Sequence, residues 1–287
     1  MYYKNYKHYD FYMNKISDLL KENYLIFPIL DLMYLFLIAS SNVSIRQLII
    51  ENEKLYQKVK KYETFFKGNL IEIYELLYLM FETDISQDYW IKNYTNASAY
   101  FILASKSYMN KKYIETLFFA EKSKKILFED GNIIRLLYLN NTIMSSLIFV
   151  GNFEECYVQA FKQSKVLDSL DINKDLLAAS CKKYMAISML GMNCYKEILK
   201  KYLLEDDVTI TMVICILIAL YQVGTLNKNF KEYHNYYNNL DVENLIDEYK
   251  DPIKLLDKFL VTKKKTLISE LLEFESMTQF EKILEKI

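Results

Sequence analysis

The chain has 287 residues, of which 52% are hydrophobic and 25% are charged, so it is too apolar to be a disordered chain. With only 5 Gly and 2 Pro, it lacks the turn residues that all-β and doubly wound α/β proteins require. Its net charge of −1 provides no overall positive field to attract nucleic acid or an anionic membrane. Composition therefore predicts an all-α protein with a large apolar core.

Residues 1–66 are predicted to form N-terminal helices that are continuous with the repeats after them, with breaks at Pro28 and near Ser44. The stretch 24–39 is apolar, but it contains Pro28 and Asp31 and is shorter than the roughly 20 residues of a bilayer span. The polar and acidic residues before it do not fit a secretion signal. We expect a cytoplasmic protein without a membrane segment.

A short phrase recurs along residues 67–240. NKKYIE at 110–115 and NKNFKE at 227–232 are built alike, and an aromatic residue followed two places later by Glu stands at each of four predicted corners. These pairs are Tyr113/Glu115, Phe153/Glu155, Tyr195/Glu197 and Phe230/Glu232, spaced 40, 42 and 35 residues apart. Self-similarity at such a period indicates a stacked array of helical pairs.

Helical periodicity places four helical pairs around these phrases. The first helices are predicted at 94–109, 133–149, 174–190 and 208–223, and the second helices begin near 113, 153, 194 and 229. We interpret each phrase as a corner: Gly or Asn takes the left-handed conformation that ends the first helix. The aromatic residue then begins the second helix and packs back across the turn, and Glu complements the helix dipole.

Residues 241–287 are predicted to be C-terminal helices, at 241–262 and 266–287. Apolar residues lie near one stripe of the last helix: Leu267, Leu271, Phe274, Met277, Phe280, Leu284 and Ile287. This stripe could cap a solenoid or join two chains as a homodimer, and the sequence favours capping slightly.

Signatures of catalysis and metal binding are missing from the sequence. There are two histidines, His8 and His234, and the four cysteines stand singly, which indicates buried thiols and not a metal site. No nucleotide-binding or hydrolase motif occurs. The acidic run Glu205-Asp206-Asp207 fits a solvated helix boundary. We therefore predict no enzymatic activity, no metal and no cofactor.

Four segments carry a resemblance to a known family: LYQKVKKYETFFKGNLIEIYELL, NNTIMSSLIFVGNFEECYVQAFKQSKVL, KDLLAASCKKYMAISMLGMNCYKEILKKYL and DKFLVTKKKTLISELL. In order and pattern they resemble the helical-repeat part of the AimR-like arbitrium receptors, with which temperate Bacillus phages sense a short secreted peptide. The chain is also similar, more broadly, to the RRNPP peptide-sensing regulators. The resemblance covers residues 50–287. It implies a right-handed tetratricopeptide-like solenoid, a hexapeptide-sized ligand in its concave groove, and a homodimer joined through C-terminal helices.

The chain departs from that family at two places. Residues 1–27 show no helix-turn-helix pattern with a basic recognition helix, so direct DNA binding is not expected. The arginine that opens one groove-lining helix in the family corresponds to Lys174, which keeps the positive charge but loses bidentate carboxylate recognition.

Five residues are the candidates for peptide binding. Asn140 and Asn141 lie in an apolar run, where a buried amide must be hydrogen-bonded, and asparagine side chains can hold a peptide backbone. Lys174 and Asp175 begin the next first helix, and Lys183 lies farther along it, next to Lys182. The alternative is that the asparagines bond neighbouring helices and the lysines are solvated.

These observations predict a regulatory receptor or adaptor that binds a short peptide. The alternative is a scaffold that binds a partner protein without a peptide. A transcription factor with a degenerate DNA-binding end is a third class.

Overall fold

The computed structural model of the protein describes residues 28–40, 45–66, 69–82, 97–131, 133–170, 175–204, 209–240, 242 and 247–287. Within these residues there is no β-strand, and the predicted all-α class is confirmed. The α-helices are α1 Pro28–Ser40, α2 Ile45–Lys60, α3 Asn69–Phe81, α4 Ala97–Met109, α5 Tyr113–Glu129, α6 Ile133–Val150, α7 Phe153–Ser169, α8 Asp175–Gly191, α9 Tyr195–Tyr202, α10 Ile210–Asn227, α11 Lys231–Asn239, α12 Asp247–Thr262, α13 Thr266–Leu272 and α14 Glu281–Leu284. Two short 3₁₀ helices, Glu63–Phe65 and Glu275–Phe280, complete the described elements.

The chain divides into two compact units. The first comprises residues 1–112 and 118–126, and the second comprises residues 113–117 and 127–287. The boundaries at 66 and 240 that we expected from the sequence stay a prediction.

The first unit packs α1 against α2 and α3, and α3 against α2 and α4. The ring of Tyr56 is buried and stacks on Phe81 at 4.3 Å between centroids, and its hydroxyl donates to Glu82 at 2.9 Å. Lys106 donates from Nζ to the backbone carbonyls of Leu79 (2.6 Å) and Glu82 at the end of α3. These bonds satisfy carbonyls that no turn of α3 can reach.

The second unit has two layers of helices. The first helices of the pairs, α6, α8 and α10, pack side by side, with α8 in the middle. The second helices lie against them: α7 contacts α6 and α8, α9 contacts α8 and α10, and α11 contacts α10. Each second helix before the last thus bridges two consecutive first helices.

The four corners share one hydrogen-bond pattern. In each, a backbone N–H just after the first helix donates to a carbonyl five residues earlier: Lys112 to Ser107, Asn152 to Leu147, Cys194 to Met189 and Asn229 to Gly224, all at 2.9 Å. The residue before each donor has positive φ, which is the Schellman end of a helix. The recurring phrase in the sequence therefore does mark a repeated corner.

Two details of the corners differ from the prediction. Gly151 and Asn193 take the left-handed conformation as expected, but at the other two corners the residue is a lysine, Lys111 (φ 59°) or Lys228 (φ 53°). Helix α10 continues through Gly224 to Asn227, so Gly224 does not end it.

The corner aromatics also pack differently from the prediction. Tyr113 stacks on Phe149 near the end of α6, at 4.3 Å between centroids, and Phe153 lies against Gly191 at the end of α8. Both contacts reach forward to the first helix of the next pair. Phe230 alone of these three packs back across its own turn, onto Tyr221. The forward contacts tie consecutive pairs together.

The C-terminal helices turn back along the second unit. Helix α12 packs on α10 and α13 packs on α12, but the 3₁₀ helix Glu275–Phe280 contacts α6, and α14 contacts both α6 and α8. The apolar stripe is buried inside the same chain at Leu267, Leu271, Met277, Phe280 and Leu284. A dimer formed through this stripe would use residues that the single chain already buries.

Helix α10 is the one helix in the described part of the chain that is long and apolar enough to cross a membrane, and 67% of its 18-residue window is buried. Every residue from Thr211 to Leu220 is buried. Packing against α8, α9, α11 and α12 accounts for its apolar composition.

Candidate functional site

The predicted site residues lie on α6 and α8. Asn140 and Asn141 are half-buried on α6, Asp175 is exposed as the first residue of α8, and Lys183 is half-buried near the middle of α8. Lys174 lies outside the described residues, as does the acidic run Glu205-Asp206-Asp207. Because α6 and α8 pack side by side, four of the five candidates are on adjacent helices.

Asn141 takes part in a polar contact between helices. Its Oδ1 accepts a hydrogen bond of 3.2 Å from Nε2 of Gln163, a buried residue of α7. The Gln163 amide also lies close enough to the Cys181 thiol on α8 to lower its pKa, although burial is the larger effect and raises that pKa to about 11. Asn141 and Gln163 thus link α6 and α7 in the core, beside Cys181 of α8.

A second polar link joins α6 and α7. The Cys156 thiol on α7 donates to the backbone carbonyl of Met144 on α6 at 3.3 Å, whereas the buried hydroxyl of Ser188 on α8 has no hydrogen-bond partner among the described residues. Burial raises the pKa of Cys156 to about 12. A thiol with so high a pKa is not a nucleophile at neutral pH, so both cysteines have structural roles here.

Lys183 is a half-buried lysine near the middle of α8. Burial lowers the pKa of its ammonium group, and the carboxylate of Glu275 partly offsets that effect. The Nζ atom lies over the ring of Tyr184, 5.3 Å from its centroid. Because this ammonium group is partly shielded from water, a carboxylate that approaches it stabilises its charged form.

The side of α6 and α8 that carries Ser145 and Lys183 is called the α6/α8 face below. Residues near the C-terminus cover part of this face. Gln279 Nε2 donates to Ser145 Oγ at 3.4 Å, and the negative charge of Glu275 raises the pKa of Lys183. Two turns before Ser145 and Lys183 lie Tyr138 (39% exposed) and Leu176 (86% exposed). The face is therefore covered toward the helix C-termini and exposed toward the N-termini.

Sequence reasoning did not find Ser145, Gln163, Glu275 or Gln279. Gln163 had a detectable signal, because it shares helical spacing with the buried residues Cys156, Ala160 and Leu167 of α7. The other three had none, since Glu275 and Gln279 reach α6 and α8 only through the return of the chain.

Among the described residues, no group of three or more His, Cys, Asp or Glu side chains could hold a metal ion. Comparisons with models of protein families, with curated proteins and with solved structures find no significant match to this chain.

Proposed function

We propose that the protein is a regulatory receptor or adaptor that binds a short peptide on the α6/α8 face. In this proposal it is an AimR-like member of the RRNPP regulators, and the pairs α6/α7, α8/α9 and α10/α11 form a right-handed tetratricopeptide-like solenoid. The first helices line its concave side.

The architecture supports this proposal through the repeated corners. Identical Schellman ends recur at each pair, and Tyr113 and Phe153 reach forward to the next pair. Side-by-side first helices bridged by second helices are what a helical solenoid requires, because a single pair cannot bury its apolar face alone.

The single observation that carries peptide binding is the composition of the α6/α8 face. It combines the half-buried ammonium of Lys183 with exposed apolar side chains, Leu176 and Tyr138, in line along the two helices. A short peptide needs such a combination, with a charge to orient one end and apolar contacts for its side chains. The amide nitrogen of Asn141 makes no hydrogen bond to the described residues, so it can donate to a peptide carbonyl.

Affinity selection from a pooled library of synthetic hexapeptides tests the proposal. The parent chain should retain a small set of peptides that carry a carboxylate, and Lys183→Ala should lose them. Lys182→Ala is the matched control, because Lys182 is the exposed neighbour on the same helix. If the parent retains no peptide, or if both variants retain the same set, the proposal is wrong. A small reading frame with a secretion signal beside the gene would support it independently.

One observation favours a scaffold as the second candidate. On α7, Val158 and Phe161 are exposed at helical spacing, and Tyr157 stacks on Phe161 with 6.4 Å between ring centroids. An exposed apolar patch of this kind suits a partner protein. Loss of a co-purifying partner on Phe161→Glu, with hexapeptide selection negative, would favour this alternative.

A further inference from the structure

We infer that residues 275–287 form a detachable cover on the α6/α8 face, and that a ligand of this face is an amphipathic peptide that replaces the cover. The ligand would place a carboxylate where Glu275 acts on Lys183 and apolar side chains where Met277 and Phe280 are buried. This inference rests on the proposed function and specifies how the site is regulated and which peptide chemistry it takes.

The cover binds the face through both apolar and polar contacts. Four apolar residues of this thirteen-residue segment are buried: Met277, Phe280, Ile283 and Leu284. Gln279 donates to Ser145, and Glu275 lies close enough to Lys183 to raise its pKa against the effect of burial. At the end of the segment, Nζ of Lys286 lies 5.2 Å from the centroid of the Phe153 ring.

The cover is bound like a ligand and not like a continuous part of the helical layers. It consists of a six-residue 3₁₀ helix and a helix of four residues, too short to be stable alone. The hydrogen bond of 3.4 Å between Gln279 and Ser145 is long, so it adds little to the binding of the cover. Its structure therefore depends on the face beneath it.

Tethering explains why such a segment occupies the face. A segment joined through α13 experiences an effective concentration of about millimolar at its own site. A free peptide with the same contacts must compete with it, and its apparent affinity is reduced by the fraction of chains in which the cover is closed. Release of the cover is then the step that couples ligand binding to the rest of the chain.

The experiment uses a fluorescein-labelled peptide of residues 275–287, ESMTQFEKILEKI, titrated into full-length chains with anisotropy as the readout. Phe280→Ala removes a buried ring from the tethered cover, so this chain should bind the peptide at least tenfold more tightly than the parent does. Phe259→Ala is the matched control, because Phe259 is an equally buried ring on α12, outside the cover. It should bind as the parent does. A peptide with Glu275→Lys should bind the Phe280→Ala chain about twofold to fivefold more weakly, because Glu275 is exposed and an exposed charge pair contributes little.

Equal binding by the parent, Phe280→Ala and Phe259→Ala chains would overturn the cover. If Phe280→Ala does not fold by circular dichroism, Met277→Ala gives the second test, because Met277 is another buried side chain of the cover. The Met277→Ala chain should then bind the peptide more tightly than the parent does, and equal binding would overturn the proposal. If a hexapeptide from the library binds the parent and the Phe280→Ala chain equally well, the proposed function is supported and the proposal that residues 275–287 form a cover is wrong.

Discussion

At the scale of single residues, backbone conformation at the corners sets how the helical pairs turn. Lys111 and Lys228 adopt positive φ, where a side chain brings Cβ close to the following carbonyl oxygen and costs about 1–2 kcal/mol. Gly151 occupies the equivalent position of the second corner without that penalty. Two corners of the array are therefore under strain that glycine would relieve.

The first prediction is that Lys228→Gly stabilises the protein. Relief of the left-handed lysine outweighs the extra entropy of glycine in the unfolded chain, so the free energy of unfolding should rise by about 0.5–1 kcal/mol. Gly151→Ala is the opposite control and should lower the free energy of unfolding. An added Cβ there would meet no other atom within 4 Å, so the only cost is that alanine must adopt a φ of +80°. Urea denaturation measures both, and a less stable Lys228→Gly chain would contradict the assignment.

The second prediction concerns the forward contact between pairs at Gly191. A Cβ at this position would lie 2.4 Å from Cγ of Phe153, too close for the ring to remain where it is. Gly191→Ala should therefore destabilise the chain by about 1–3 kcal/mol, as overpacking does. In the Phe153→Leu background the same change should cost less, and a double-mutant cycle measures the coupling. If the changes in the free energy of unfolding caused by Gly191→Ala and Phe153→Leu are additive, Phe153 does not pack on Gly191.

The third prediction follows from Lys106, whose pKa is lowered by burial to about 8 from its ordinary value of 10.5. Between these values the unfolded chain binds more protons at this residue than the folded chain does. The contribution of Lys106 to the free energy of unfolding should therefore rise as pH increases from 8 to 10. Thermal melts of the parent and Lys106→Met over this range test it. The quantity to follow is the free energy of unfolding of the parent minus that of Lys106→Met. If this difference does not increase with pH, the pKa of Lys106 is not lowered.

At the scale of elements, the helices from 97 to 240 follow the sequence pattern closely because both their starts and their ends carry local signals. The corner residues and the apolar spacing placed α6, α7 and α8 within a few residues of their observed ends. The end of α10 was missed because Gly224 was interpreted as a stop, whereas the helix ends with Lys228 in the left-handed conformation. A lysine gives no sequence signal for that conformation.

The fourth prediction concerns the link between α6 and α7. Asn141→Ala removes the acceptor of a buried amide donor on Gln163, so it should destabilise the chain by about 1–3 kcal/mol. Replacing both residues by Leu should recover much of that loss, since no polar group then remains unpaired. Urea denaturation of the single and double variants measures this. If Asn141→Ala unfolds like the parent, the hydrogen bond between Asn141 and Gln163 does not hold α7 on α6.

At the scale of the whole chain, the second unit combines helical pairs that share one corner pattern with a C-terminal segment that returns to α6 and α8. The sequence predicted the pairs, because each repeats the same local pattern of corner and apolar face. Their arrangement as a solenoid stays a prediction. The sequence did not predict that residues 275–287 reach α6 and α8, because that contact joins residues more than 130 positions apart, as Gln279 and Ser145 are. Of the candidate site, Lys183 and Asn141 followed from local pattern, and their partners Glu275 and Gln163 came from tertiary packing.

The most direct test of the central claim is hydrogen–deuterium exchange of the full chain with and without a hexapeptide selected from the library. When the peptide binds, we expect slower exchange in α6 and α8 and faster exchange in residues 275–287, because the ligand takes the place of the cover. Protection limited to α7 and α9, with α6, α8 and residues 275–287 unchanged, would contradict this expectation.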